Sequence, residues 1–164
     1  MMWRTGIVLI IAAGMVEAGV LPEERADALY HYYDGGGVEI DGPSLLVRKK
    51  FAEKYGVTAN YYIDMVSSAS IDVVTTASPY KEERTQGSLA FDMLNGKSQY
   101  SLSFTNSDEN DYTANSLSFD VSQDMFGDLT TVSFGFSRGW DEVRKRGDDT
   151  FVEPVDRRTY RVGV

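Results

Sequence analysis

The chain has 164 residues, enough for one domain. It has no cysteine and one histidine, His31, so disulfide frameworks, thiolate metal sites and histidine-cluster metal sites are all excluded. Its 16 basic and 25 acidic side chains give a net charge of -9, which disfavours nucleic acid and anionic lipid head groups as partners because both require a basic surface.

The N-terminal segment predicts a secretory signal peptide over residues 1–18. Arg4 supplies the positive charge, residues 6–13 form a short apolar run, and Val16 and Ala18 are small residues at the positions that a signal peptidase recognises. The apolar run is about half of the roughly 20 residues that a membrane-spanning helix needs. We therefore expect residues 19–164 to be exported as one domain. No later stretch is apolar enough for such a helix, so membrane insertion would require a closed barrel.

The rest of the chain predicts an all-β fold, an antiparallel up-and-down meander of about seven or eight strands. The predicted strands, in chain order, are Ala26 to Tyr33, Val38 to Lys50 with a break at Gly42-Pro43, 57–69, 84–94, 98–107, 112–125, 129–141, and one starting near Arg157. Short connections are predicted at 52–56, 95–97 and 126–128, and longer polar ones at 70–83, 106–111 and 142–156. Asn95-Gly96 predicts a hairpin with a type I′ turn. Such alternation is typical of outer-membrane barrels, which have short periplasmic turns and long external loops.

The predicted strands have one apolar and one polar face, because side chains alternate between the faces of a strand. The apolar face carries residues such as Val57, Tyr61, Leu89, Phe91, Leu102, Phe104, Leu117, Phe119, Val132 and Phe134. The polar face carries Asn60, Ser88, Ser101, Ser103, Ser118, Ser133 and the four acids Asp64, Asp92, Asp120 and Asp124.

Two arrangements fit this pattern: a soluble barrel or sandwich with an apolar core, and a transmembrane barrel with an apolar outer surface. The second is favoured because the polar face holds small Ser, Thr and Gly instead of long charged side chains. Aromatic residues near strand ends also resemble interfacial girdles. They are Phe51, Tyr55, Tyr100 and Phe126 towards one rim and Tyr112 and Trp140 towards the other.

Long runs of the chain resemble a family of Gram-negative outer-membrane proteins, the domain of unknown function 3570. The resembling runs include residues 33–37, 42–49, 60–80, 106–115 and 137–141. The resemblance implies export and a β-barrel, and it assigns no catalytic residue. Members of that family are considerably longer, and this chain lacks a terminal aromatic residue, so we expect residues 19–164 to be the N-terminal part of a larger barrel domain.

The four acids of the polar face predict a lumen with a negative field, of the kind that selects cations in pores. The alternative is that they pair with Arg48 and Lys50, or with further strands, and so plug the barrel. Residues 70–83 are β-branched and apolar for an external loop. They would either fold into the lumen or extend a strand above the membrane.

Two further patterns are candidate sites. Asp108, Glu109 and Asp111 place oxygen ligands on one connection, as calcium prefers, but their spacing is not that of an EF-hand, and a solvated turn is favoured over a metal site. His31 is interpreted as a structural histidine instead of a catalytic base, because no nucleophile motif accompanies it. We predict no enzyme activity and no cofactor.

The sequence therefore predicts an outer-membrane β-barrel, inserted into the lipid bilayer by the outer-membrane assembly machinery. Its role would be that of a pore or channel with an acidic lumen. The alternatives are a secreted soluble β-barrel that binds a small apolar ligand, and a surface scaffold or adhesin.

Overall fold

The computed structural model describes residues 20–68, 80–145 and 148–164. The predicted signal peptide and most of the predicted loop 70–83 lie outside these residues. The described residues form one eight-stranded antiparallel sheet in which the strands follow one another in chain order. The predicted all-β meander is confirmed. The strands are β1 (Arg25–Gly35), β2 (Val38–Phe51), β3 (Tyr55–Ser68), β4 (Tyr80–Asn95), β5 (Ser98–Asp108), β6 (Tyr112–Met125), β7 (Thr130–Lys145) and β8 (Asp148–Gly163).

The long connection predicted at 142–156 is wrong. β7 continues to Lys145 and β8 begins at Asp148, so the bounds of the two strands leave only residues 146–147 between them. The pairing continues beyond the apolar residues, with Glu142 opposite Pro154 and a register shift between Arg144 and Lys145. Backbone pairing does not require apolar side chains. A prediction based on alternating apolar residues therefore placed the end of β7 too early. The connection predicted at 106–111 likewise shortens to 109–111.

The predicted break in β2 at Gly42-Pro43 is also wrong, since both residues stay in the β1–β2 ladder opposite His31 and Tyr30. They have no partner only in the β2–β3 ladder, whose register is the same before Gly42 and after Pro43. A Cβ atom added at Gly42 would collide with the carbonyl oxygen of Ile63 on β3. Glycine is therefore required at position 42, because a side chain there would overlap the backbone of β3.

Two-residue hairpins join β1 to β2 and β4 to β5. Gly36 and Gly37 both have positive φ, 63° and 81°, as a type I′ turn requires. At the second hairpin the central residues are Gly96 and Lys97, because Asn95 pairs with Ser98. Gly96 has a φ of 61°, and Lys97 is not among the residues with positive φ, so this turn follows the type II′ pattern instead of the predicted type I′.

The sheet is open. In the described part of the chain, every strand contact is between sequence neighbours, and β1 and β8 each keep one unpaired edge. None of the described residues forms a helix long and apolar enough to cross a membrane.

Burial in this sheet is inverted relative to a soluble domain. The large side chains of the apolar face are exposed, with Leu89 at 56% and Leu102 at 48%. Among the described residues the one buried hydrophobic side chain is Leu21, whereas the buried polar side chains are Asp92, Gln99, Ser107, Asp124 and Asp141. The described residues thus build no apolar core, and their most protected groups lie on the polar face.

Candidate functional site

The polar face carries ionisable groups from several strands, and a separate group, Arg138, Asp156 and Arg158, pairs on the apolar face of β7 and β8. The ladder registers place Asp64, Asp92, Asp120 and Asp124 on this face: Asp64 lies opposite Arg84, Asp92 and Asp120 both lie opposite Ser101, and Asp124 lies opposite Thr131. Because the registers of the ladders from β3 to β6 contain no shift, residues two positions apart on these strands lie on the same face of the sheet.

Asp120 of β6 forms an ion pair with an arginine of β8, two strands away. The Nη2 atom of Arg161 on β8 donates to Asp120 Oδ1 on β6 at 2.7 Å. Gly135 of β7 lies between them, and an added Cβ there would meet Asp120 Oδ1 and the Arg161 guanidinium. The absence of a side chain on β7 therefore lets an acid and a base meet from strands that are not neighbours.

A second ion pair joins β7 to β8. Asp141 is only 2% exposed, and its carboxylate contacts the Arg157 guanidinium at 2.6 Å. The Tyr112 hydroxyl donates to the same carboxylate at 2.5 Å. Tyr112 therefore presents its hydroxyl to the polar face, and its predicted place in an aromatic girdle is wrong.

Asp64 lies beside the single histidine. His31 Nε2 on β1 is 2.8 Å from Asp64 Oδ1 on β3, a distance that suits an ion pair when the imidazole is protonated. The His31 N–H is not aligned with the carboxylate, since Nε2 is buried and has no hydrogen-bond partner. Gly42 again lies between, because a Cβ added there would lie 3.4 Å from His31 Cε1.

Asp92 and Asp124 are the most buried of the four predicted acids. Thr131 Oγ1 donates to Asp124 Oδ1 at 2.7 Å. Asp92 lies against Gly56, and Leu21 reaches the same glycine from the segment that precedes β1. The pairing with Arg48 considered from the sequence is not the one found, because Arg48 Nε donates to Thr58 Oγ1 at 3.3 Å.

The connection between β5 and β6 brings Glu109 and Asp111 together with Glu82 of β4. One carboxylate oxygen from each lies within 4.8 Å of the others. Burial raises the pKa of Glu109; Arg84 opposes this shift, and the negative charges of Glu82 and Asp111 add to it. Asp108 is not part of this group and accepts a hydrogen bond from Thr113 Oγ1 at 2.6 Å. Of the three weak metal candidates, the structure therefore brings two together.

At the start of β1, Glu24 accepts hydrogen bonds from Lys49 Nζ and from the Lys50 backbone N–H, both at 2.9 Å. These contacts lower the pKa of Glu24. They fix the segment that precedes β1 against β2.

Sequence reasoning did not find Arg157, Arg161 or Asp141 as members of the polar face. Arg157 marks the predicted start of the last strand, and Asp141 the predicted end of the one before. Extending β7 and β8 places Asp141 opposite Val155 and Arg157 opposite Gly139, so that Asp141 and Arg157 are diagonal neighbours on the polar face. The alternation of Arg157, Thr159 and Arg161 was a signal that could have identified this face.

The apolar face carries three aromatic pairs. They are Tyr55 with Phe91, Phe104 with Trp140, and Phe136 with Tyr160, with ring centroids separated by 5.9, 6.2 and 5.2 Å. The first and third pairs join neighbouring strands, and the second joins β5 to β7 across β6, all from the exposed side.

Comparison with known proteins finds one family. No curated protein and no solved structure matches the chain. The model of a family described as Protein of unknown function (DUF3570) matches residues 71–160, from the connection before β4 into β8. That match covers more than half of the chain. The chain therefore belongs to the DUF3570 family.

Proposed function

We propose that this chain is exported by residues 1–18 and forms the wall of a transmembrane β-barrel in the outer membrane. Its apolar face would contact lipid and its polar face a hydrated lumen. The inverted burial carries this proposal: exposed Leu89, Leu102 and Phe119 stand on one face, while the buried Asp92, Asp124 and Asp141 stand on the other. Insertion would then depend on the outer-membrane assembly machinery.

A soluble arrangement would need another layer over the apolar face. A sheet of a soluble domain must bury its hydrophobic face against a second sheet or helices. The described residues form one sheet only, and its exposed hydrophobic side chains extend from β1 to β8. Lipid satisfies such a face without any further protein layer.

The lengths of the strands support the proposal. A tilted transmembrane strand needs about 9–11 residues. The eight strands have 11 to 16 residues each, so every one is long enough to cross the hydrocarbon layer. The two unpaired edges, on β1 and β8, must be paired before they enter lipid, since each unsatisfied backbone group there costs several kcal/mol.

We further propose that the lumen conducts solutes and favours cations. Arg161 compensates Asp120, and Arg157 compensates Asp141. The contact described for Asp124 is with the Thr131 hydroxyl, which brings no positive charge, so this acid keeps its negative field.

Fractionation tests membrane insertion. The full-length gene, expressed with its signal, should give protein in the outer-membrane fraction that migrates differently in detergent gels before and after heating. Recovery as soluble periplasmic protein would contradict the proposal and support the soluble ligand-binding alternative. Recovery at the surface without heat-modifiable migration would support the scaffold or adhesin.

Conductance in planar bilayers tests the lumen. Asp124→Asn should lower the ratio of cation to anion permeability, because it removes a charge and keeps an acceptor for Thr131. Ser103→Asn, on the same face and without a change of charge, is the matched control. Equal ratios in both variants, or no conductance by the inserted protein, would refute the cation-selective pore.

A further inference from the structure

The polar face of β1, β2 and β3 forms a cavity that differs from the rest of the sheet. Its volume is about 410 Å³, and its lining includes Arg25, Asp27, Leu29, His31, Ser44, Leu46, Asn60, Tyr62 and Asp64. Binding pockets for small molecules span about 300–1,000 Å³, so this cavity suits a small ligand. On β4 to β7 the middle of the same face carries mainly Ser, Ala, Thr and Gly.

The cavity alternates hydrogen-bond donors and acceptors. Arg25 Nε contacts Asp27 Oδ2 at 2.5 Å, and His31 Nε2 lies 2.8 Å from Asp64 Oδ1. The charges of Arg25 and Asp27 thus compensate one another. A guanidinium has five N–H donors and a carboxylate about four acceptor positions, so this pair keeps unused capacity for a ligand. Asn60 adds donors and an acceptor of its own.

Apolar surface is present in the same cavity. Leu29 is exposed to 64% although it lies on the polar face, and Leu46 lines the cavity beside it. The hydroxyl of Tyr62 donates to Gln86 on β4 at 3.0 Å, which fixes the ring at the border of the cavity. A ligand would therefore meet polar groups and carbon surfaces together.

Gly42 keeps the centre of the cavity open. It stands on β2 between His31 and Asp64, and a side chain there would contact the His31 ring. The buried Nε2 atom of His31 has no hydrogen-bond partner.

We propose that this cavity binds a small neutral polyhydroxylated molecule, one or two sugar rings in size. Hydroxyl groups both donate and accept, which matches the mixed donors and acceptors. The C–H faces of a sugar ring match Leu29 and Leu46. An anionic ligand would meet Asp27 and Asp64, and a cationic ligand would meet Arg25. This inference rests on the proposed function, because it requires the polar face to be hydrated and open to solutes.

Binding of defined sugars to the full-length, heat-modifiable protein in detergent tests the site. Glucose, maltose and sucrose would be titrated with saturation-transfer NMR and calorimetry, beside gluconate and glucosamine as charged counterparts. We expect saturable binding of at least one neutral sugar, and binding of its charged counterpart about tenfold weaker, which corresponds to 1.4 kcal/mol.

Two substitutions locate the binding. Asn60→Leu and, independently, Ser44→Ala should each weaken the neutral sugar several-fold, while Ser118→Ala on β6 should leave binding unchanged. A heat-modifiable protein that binds no neutral sugar, or prefers a charged one, overturns the site and leaves the barrel intact. Unchanged binding in both cavity variants also overturns it. Protein that shows no heat-modifiable form overturns the proposed barrel itself.

Discussion

Gly42 and Gly135 occupy equivalent positions in different parts of the sheet. Each lies on a strand between an acid and a base that belong to the two flanking strands, His31 and Asp64 in one case and Asp120 and Arg161 in the other. A side chain at either position would separate the two groups. Glycine here therefore acts through the space it leaves free.

Substitution of Gly135 tests this view. Gly135→Ala should destabilise the folded protein by about 1–3 kcal/mol, because its methyl group displaces the Asp120 carboxylate and the Arg161 guanidinium. Urea titration of the protein in detergent would measure the change. Ser137→Ala, on the same face of β7, should stay within about 0.5 kcal/mol of the wild type. An equal loss in an Arg161→Ala background would show that the ion pair is not the cause.

Glu109 makes a prediction about pH. Its pKa is raised in the folded state, first by burial and then by Glu82 and Asp111. A raised pKa means that the folded state favours the protonated form. Stability should therefore fall as pH rises from the ordinary pKa of an unfolded Glu, about 4.3, through the folded pKa.

Glu109→Gln should remove this part of the pH dependence and leave stability at pH 7 unchanged or higher. Urea titrations between pH 4 and 7 would measure it. Asp108→Asn is the comparison: Asp108 lies nearby but is held by Thr113, so its replacement should not raise stability at pH 7. A loss of stability at pH 7 in Glu109→Gln would contradict the prediction.

Among the elements, β3, β5 and β6 were predicted closely, because apolar and small polar residues alternate along them without interruption. β8 was predicted less well, because its start was predicted near Arg157 and the strand begins at Asp148. Pro154 and Arg157 weaken its pattern. Such strands are held by pairing with a neighbour that does alternate, and this stabilisation is not visible in their own residues.

The candidate site could also be predicted only in part from the sequence. The face occupied by Asp64, Asp92, Asp120 and Asp124 follows from period two, which is a local property. The partners of these acids do not follow from it. Asp120 meets Arg161 across 41 positions of the sequence, and only the registers of two ladders bring them together.

The two faces of β6 should respond differently to charge. Phe119→Lys should cost about 2–4 kcal/mol if this position lies near the bilayer midplane, since its side chain would contact hydrocarbon. Ser118→Lys, next to it on the polar face, should cost much less. Urea titration in lipid vesicles would measure both variants.

A soluble barrel would also be sensitive at position 119, so a second measurement is needed. Spin labels at 118 and 119 would be relaxed by water-soluble and lipid-soluble reagents. We expect oxygen to reach the label at 119 and a polar nickel complex to reach the label at 118. The reverse result would contradict the proposed orientation of the sheet.

At the scale of the whole molecule, the two open edges of the sheet determine whether it associates with other chains. β1 and β8 carry unsatisfied backbone groups along one side each, and exposed edges of this kind pair with other strands. Exposed Tyr160 and Val162 adjoin the edge of β8. We expect residues 20–164, refolded by themselves in detergent, to associate through these edges.

Cysteine substitution would detect this association, because the chain has no cysteine of its own. A single cysteine placed on β8, at Tyr160, should give disulfide-linked dimers, whereas one on β5, at Leu102, should not. Light scattering should show species larger than a monomer. A monodisperse, heat-modifiable monomer would contradict this prediction and show that β1 closes on β8 within one chain.

The pairing of each strand with its sequence neighbours alone also determines how the protein should respond to a pulling force. A meander pulled from its C-terminus should lose its strands one after another, starting with β8. Arg161 adds a second attachment, because it holds β8 to Asp120 of β6 across β7. The first force peak, which records the release of β8, should therefore be higher than the β7–β8 ladder alone would give. Arg161→Ala should lower that peak.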